Sequence, residues 1–228
     1  MIRAIRKFLI LSLILAVFLA IGIYIVSQTD KTIARVDVVS NDGLVYISKQ
    51  DLIKKVSDLS DKKEWFDIDA DEIEKYLYAV KGVDYTLVKK VWPSTLVIYM
   101  YDHKPIAYWN NSEILLNNME IIKPAVFSYD NELVHIASTD DANKDYIYQT
   151  YEELNSIAKQ HGLEIIKIFY KGNQFSLLFD NDMEVVLGST KLKGRLELFF
   201  NSYKKVNDYK KIKYFDMRYD DGFAVKYE

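Results

Sequence analysis

The chain has 228 residues, half of them apolar, with 18 Tyr, 11 Phe, three Pro and no low-complexity tract, a composition that builds cores and excludes long disorder. Formal charge is −3, and setting aside Arg3, Arg6 and Lys7 leaves −6 for residues 8–228, which argues against nucleic acid and against tight docking on anionic lipid. Cysteine is absent, so thiol catalysis and Cys-based metal sites are excluded, while export is neither supported nor opposed.

Residues 8–26, FLILSLILAVFLAIGIYIV, form one uncharged apolar run. At a 1.5 Å rise per residue it spans roughly 28 Å, close to a hydrocarbon core of about 30 Å. Arg3, Arg6 and Lys7 precede it, and only Lys31 and Arg35 follow nearby. The positive-inside bias therefore predicts a cytoplasmic tail over 1–7, a transmembrane helix over 8–26 and the bulk of the chain outside the cytoplasm. Cleavage of a signal peptide at Ala20-Ile21-Gly22 is the rival reading, but it would leave Ile23 to Val26 as a greasy new terminus. The uncleaved anchor is preferred.

Residues 32–103 alternate strand and helix signals. Val36 and Val38 flank Asp37 in a period-two stretch that ends at the Asn41-Asp42-Gly43 turn. Ser48 and Asp51 have capping-box spacing before Leu52, Ile53, Val56 and Leu59. Asp69-Ala-Asp-Glu72 opens a second helix with Ile73, Tyr76, Leu77 and Val80 on one face. Strands follow at 83–91 and 95–101, joined by Trp92-Pro93-Ser94, which is read as a structural connection. The order is β-α-α-β-β, a small domain with helices on a three-stranded sheet.

From Ile106 a meander is expected, with strands at 106–109, 113–116 and 119–122 and a tight turn at Asn117-Asn118. Residues 143–160 read as a helix with Tyr146, Tyr151, Leu154, Ile157 and Ala158 facing in. Strands are expected at 163–170, 174–180 and 183–187, then a helix over about 190–205 with Leu192, Leu196, Phe199, Phe200 and Tyr203 inward. The chain closes with strands at 212–219 and 222–227 around an Asp220-Asp221-Gly222 turn. Short turns predict an antiparallel sheet with two helices on one face, so the whole is α+β.

Catalytic chemistry is not legible. Asp67, Asp69 and Asp71 take the first three positions of a calcium loop, but Glu72 stands where Gly is needed and Tyr78 where a bidentate Glu is needed. A helix start enriched in acid is the better account. His103, His135 and His161 have no metal-ligand spacing, and no nucleophile motif or phosphate loop is present. No catalytic, cofactor or metal residue is assigned.

One segment, VDYTLVKKVWPSTLVIYMYDHKPIAYW (83–109), combines unusual choices. Val83, Val88, Trp92, Pro93, Thr95, Leu96, Ile98, Pro105, Ala107 and Trp109 match a motif of the FtsQ/DivIB family, which it resembles. WFDID (65–69), EILLNNMEIIKP (113–124), MEVVLG (183–188) and YFDMRYDDGFAVKY (214–227) extend the resemblance, although Asn118-Met119 lacks an expected Gly and Ser189 replaces a common Arg. The resemblance implies a POTRA domain over 32–103 and a β domain over 104–228. It implies a non-enzymatic divisome scaffold in the inner membrane at the septum, bound to FtsB and FtsL type division proteins and to other divisome components. No cofactor or small-molecule substrate is expected. Partner contact is expected at Arg218, Tyr219, Asp221, Gly222, Phe223, Ala224, Val225, Lys226 and Tyr227, with Arg218 and Tyr219 leading and the last strand taking up a partner strand. An anchored cell-wall enzyme and a POTRA-bearing secretion component are the alternatives.

Overall fold

Two side-chain caps start the helices that the sequence pattern announces. The Ser48 hydroxyl accepts from the Asp51 amide at 3.3 Å, and the Asp69 carboxylate accepts from Asp71 and Glu72 at 2.9 and 3.4 Å. The computed structural model describes residues 2–28, 32–40, 47–60, 63–124, 133–219 and 222–227. The expected turn at 41–43 and the pair Asp220-Asp221 lie outside the described residues. The chain forms two compact units, dividing between Tyr101 and Asp102.

The first unit begins with helix α1 (Ile2–Gln28), whose stretch Ile5–Ile25 is long and apolar enough to cross a membrane and has no residue buried within the chain. Then come β1 (Arg35–Val39), α2 (Lys49–Ser60), α3 (Ala70–Tyr78), β2 (Val83–Val91) and β3 (Thr95–Asp102). The sheet order is β1-β3-β2, with β1 parallel to β3 and Val38 opposite Ile98. One sheet face buries Val38, Val88, Leu96, Ile98 and Met100 against Leu52 and Val56 of α2 and Ile73 and Leu77 of α3. Each such side chain taken from water contributes roughly 1.5–3 kcal/mol. Tyr76, expected inward, is 38% exposed.

The second unit holds β4 (Pro105–Trp109), β5 (Glu113–Leu116), β6 (Ile121–Ile122), β7 (Val134–Ser138), α4 (Lys144–Gln160), β8 (Ile165–Lys171), β9 (Gln174–Phe179), β10 (Glu184–Gly188), α5 (Leu192–Ser202), β11 (Ile212–Asp216) and β12 (Ala224–Tyr227). They build one nine-stranded sheet in the order β12-β11-β10-β9-β8-β7-β4-β5-β6. The hairpins are antiparallel as expected, and Gly172 and Asn173 turn β8 into β9 with φ of 57° and 61°. The purely antiparallel expectation is corrected, because β4–β7, β7–β8 and β10–β11 are parallel. For β7–β8 and β10–β11 the reason is connectivity: α4 and α5 are crossovers between strands of the same sheet, and crossovers make parallel neighbours.

Strand β7 has no counterpart among the sequence expectations, yet it sits between β4 and β8 near the sheet centre. Asn110, at φ 53°, holds its C-terminal half: the Asn110 amide donates to Ile136 O at 2.8 Å, and its side chain accepts from the Ser138 amide at 2.9 Å. In α4 the inward residues are Ile147, Thr150, Leu154, Asn155 and Ala158, while Tyr146 faces out. In α5, Leu196, Phe199 and Phe200 enter the core as expected, with Tyr203 just beyond the helix stacked on Phe199 at 4.7 Å. Met119 stands at φ 64°, the left-handed conformation that explains why the resemblance calls for Gly nearby.

Candidate functional site at the C-terminal sheet edge

The expected strand 212–219 stops at Asp216. Met217 is buried, and its amide donates to Val186 O at 2.9 Å as part of the parallel pairing of Asp216 with Val186. Strand β12 returns antiparallel beside β11, pairing Asp216 with Ala224, Phe215 with Val225, Tyr214 with Lys226 and Ile212 with Tyr227. Among the described residues no strand pairs with the other side of β12.

Alternation along the last strand sorts its side chains. Phe223 packs on the Phe215 ring at 5.9 Å, and Val225 is half-buried against the same core. Ala224 and Lys226 are exposed. Tyr227 is 50% exposed, with its hydroxyl donating to Asn207 O at 3.5 Å. Gly222 is half-buried, Tyr219 is 57% exposed, and Asp221 falls outside the described residues.

Arg218 has a different situation from Tyr219. Its Nε donates to both Asp216 carboxylate oxygens, at 2.9 and 3.1 Å, and Nη2 donates to Oδ2 at 2.6 Å. Nη1 reaches Gln174 Oε1 at 3.3 Å, while Arg195 Nη2 donates back to the Arg218 carbonyl at 3.2 Å. Arg195 Nη1 also donates to Leu187 O at 2.6 Å, tying α5 to the end of β10. Hydrogen bonding from Arg218 holds the Asp216 carboxyl below the usual carboxylate range, against burial that raises it. The same pair raises Arg218 further above its ordinary value. Burial, with Asp216 nearby, pushes the Tyr214 hydroxyl up.

The nine sequence-chosen residues are therefore divided. Tyr219, Ala224, Lys226 and Tyr227 present side chains to solvent, Phe223 and Val225 hold the strand to the core, and Arg218 is engaged within its own unit. Sequence reasoning missed Asp216, Arg195, Gly188 and Gln174, which brace the corner leading to the edge. The signal for Asp216 was available, since two-residue spacing at a strand end puts Asp216 and Arg218 on one side. Arg195 and Gln174 are far away in sequence and had none.

Chemically this edge offers backbone groups, two tyrosines and a lysine, a surface for binding. Among the described residues no group of three or more His, Asp or Glu is placed to hold a metal ion. The groove beside Ile33 and Arg35 is closed by Ile53, Ser57 and Ser60 and brings no pair of acids together.

Comparison with known proteins agrees with this architecture. Residues 33–100 match the family model described as POTRA domain, FtsQ-type, and residues 107–218 match Cell division protein FtsQ/DivIB, C-terminal. The second match stops at Arg218, so β12 stands beyond it. A Haemophilus influenzae protein named Cell division protein FtsQ is 26% identical over 232 residues, covering 97% of this chain and 89% of the relative. A Vibrio cholerae protein of the same name is 24% identical over 184 residues, covering 80% and 70%. The Coxiella burnetii protein of that name is 22% identical over 166 residues, covering 72% and 68%. With the POTRA and C-terminal regions both matched in order behind an apolar helix, this chain belongs to the FtsQ/DivIB family of cell division proteins.

Proposed function

We propose that this single-pass membrane protein serves cell division as a non-enzymatic scaffold at the septum, with residues 1–7 cytoplasmic and its POTRA (32–103) and β (104–228) domains periplasmic. Its partners in this reading are FtsB and FtsL type division proteins, and the FtsB type adds a strand alongside β12. One observation carries the reading: β12 ends a nine-stranded sheet with β11 beside it and, among the described residues, no strand on its other flank. Such an edge is a template for main-chain pairing.

Magnitudes say what else is required. Four or five added backbone bonds contribute roughly 2–7 kcal/mol, whereas micromolar affinity needs about 8 kcal/mol after ordering costs. Side-chain anchors supply the difference, and the exposed Tyr219 and Tyr227 are of the type enriched at such points. Confinement of both partners to one membrane raises their effective concentration.

Hydrogen exchange on the full chain in lipid discs, with and without an FtsB–FtsL type complex, tests the mechanism. Slowed exchange at the amides of 224–227 on binding is expected. A complex that binds while those amides exchange at their free rate would refute strand addition.

A further inference from the structure

Four segments of the POTRA unit meet where the chain enters it from α1. The Ala34 and Arg35 amides donate to Ser94 O at 3.0 and 3.3 Å, so the entry point lies against the turn between β2 and β3. Helix α2 brings its last turns to the same place, with Ser57 and Ser60 facing Ile33 and Arg35 across a groove. The loop after α2 carries Trp65 and Phe66. Lys90 fixes that loop to the end of β2, donating to Ile68 O at 2.8 Å and lying 4.7 Å from the centre of the Trp65 ring.

This end is unusual in what it shows to solvent. Outside α1, Phe66 (63% exposed) and Trp92 (56%) are the only exposed Phe and Trp side chains among the described residues. Val91, 46% exposed, directly precedes Trp92, and Phe66 meets Trp65 edge-on at 5.2 Å. The other exposed aromatic side chains of the unit are tyrosines. Trp92, at the connection between β2 and β3, thus presents its ring to solvent.

Chain length limits what these rings can meet. The uncharged run 8–26 is about 28 Å long as a helix, close to the thickness of the hydrocarbon layer, and Gln28 ends about 3 Å beyond it, within the headgroup layer. From Gln28 to Ala34 the chain reaches at most about 20 Å even if fully extended. The entry end is thus tethered close to the bilayer, and Trp and Phe are residues that settle at the membrane–water interface. The basic groups here are already engaged: Arg35 pairs with Asp37 at 2.7 Å, Lys63 pairs with Glu72 at 3.2 Å, and Lys90 is held by Ile68 O and the Trp65 ring. The attraction is accordingly apolar and does not need anionic lipid.

We propose that the entry end of the POTRA unit, led by Phe66 and Trp92, docks into the headgroup layer of the membrane that α1 spans. This rests on the reading of α1 as an uncleaved anchor. Docking would set the unit's height and restrict its rotation, so that its other faces are presented at a defined distance from the bilayer.

The absence of cysteine makes single-site spin labelling direct. The full chain is placed, one copy per disc, in phosphatidylcholine discs with a label at Phe66→Cys, Val91→Cys, Trp92→Cys, Ile14→Cys or Tyr78→Cys. Collision with oxygen reports lipid and collision with a water-soluble nickel chelate reports water. Labels at 66, 91 and 92 are expected to be shielded from nickel severalfold relative to 78 while staying open to oxygen, at low and high salt alike. Adding Phe66→Ser with Trp92→Ser should return the label at 91 to water. If 14 is immersed and 66 and 92 meet nickel as freely as 78, docking is overturned and the anchor stands. Shielding from both reagents would mean a protein occupant, and shielding only with anionic lipid at low salt would mean a charge contact; either overturns the proposal. A label at 14 that meets nickel overturns the anchor and the docking together.

Discussion

Arg218 and Asp216, two residues apart where β11 ends, close a charged fork. Nε and Nη2 of Arg218 reach both carboxylate oxygens at 2.6 to 3.1 Å, and the Arg218 amide adds a bond to Oδ1 at 3.1 Å. The fork fixes the chain at the corner from which it returns as β12, so the geometry of the sheet edge depends on a pair whose carboxylate is buried and whose guanidinium is half exposed.

The pair makes stability depend on pH in a definite direction. Folding lowers the Asp216 carboxyl's proton affinity, so the stabilisation is complete above the ordinary Asp value near 3.9 and is lost as pH falls through the depressed folded value. Asp216 is 9% exposed but Arg218 is 47% exposed, so solvent weakens the pair. Asp216→Asn should destabilise the unit by about 1–2 kcal/mol at pH 7, with the gap to the parent narrowing below about pH 4. Urea unfolding followed by the fluorescence of the fully buried Trp109, with Trp65 and Trp92 replaced by Phe, reads this unit alone.

Arg218 and Tyr219 are adjacent in sequence yet should separate cleanly in function. Arg218→Glu sets a second carboxylate against the buried Asp216 and should cost about 2–3 kcal/mol of stability. Tyr219→Ala removes an exposed ring and should leave stability within about 0.5 kcal/mol. If Tyr219 is an anchor, its removal weakens binding of the FtsB type partner at least about tenfold. Thermal melts and calorimetric titration on the same two variants decide this; equal loss of binding with equal loss of stability would return Tyr219 to a structural role.

How far the sequence reached follows from the range of each interaction. Both helices of the POTRA unit were legible because their caps, Ser48 and Asp69, act within three residues. The hairpin at Gly172-Asn173 was legible for the same local reason. Strand β7 was not, since its five residues VHIAS are braced by β4 and β8 and by Asn110, all distant in sequence. The β4–β7 and β7–β8 pairs escaped because β7 itself was not expected, and the β10–β11 pair because the short turns elsewhere suggested an antiparallel sheet throughout. At the candidate edge, chain order pointed to the last strand, but whether Arg218 faced solvent or Asp216 was a tertiary question.

Gly188 is the tightest backbone position in this corner. Its φ is +81°, and a Cβ there would stand 2.8 Å from Arg195 Nη1 and 3.1 Å from Arg218 Cγ. Gly188→Ala should therefore destabilise by about 1–3 kcal/mol through backbone conformation and displacement of the two arginines. The contribution of Arg195 can be isolated. Arg195→Ala should cost less in the Gly188→Ala background than in the parent, since its bonds to Leu187 O and Arg218 O are already disturbed. Additive losses in a double-mutant cycle would show that the clash is relieved without moving Arg195.

The acidic stretch of Asp67, Asp69 and Asp71 provides a last test, of a helix cap against a cation site. Asp69 is committed to capping, its Oδ1 accepting from Asp71 at 2.9 Å and Glu72 at 3.4 Å, and its carbonyl taking the Ile73 amide at 3.4 Å. Asp71 and Glu72 lie in the first turn, where negative charge complements the helix dipole. Asp69→Ala should lower POTRA stability by about 0.5–2 kcal/mol, and Asp69→Asn or Asp69→Ser should keep most of it, because either side chain still caps. A calcium ligand set would behave otherwise: Asn and Ser would fail as Ala does, and millimolar calcium would raise the melting temperature of the parent while a chelator lowered it. Melting curves of the three variants with and without calcium distinguish the accounts, and the cap requires curves that calcium leaves in place.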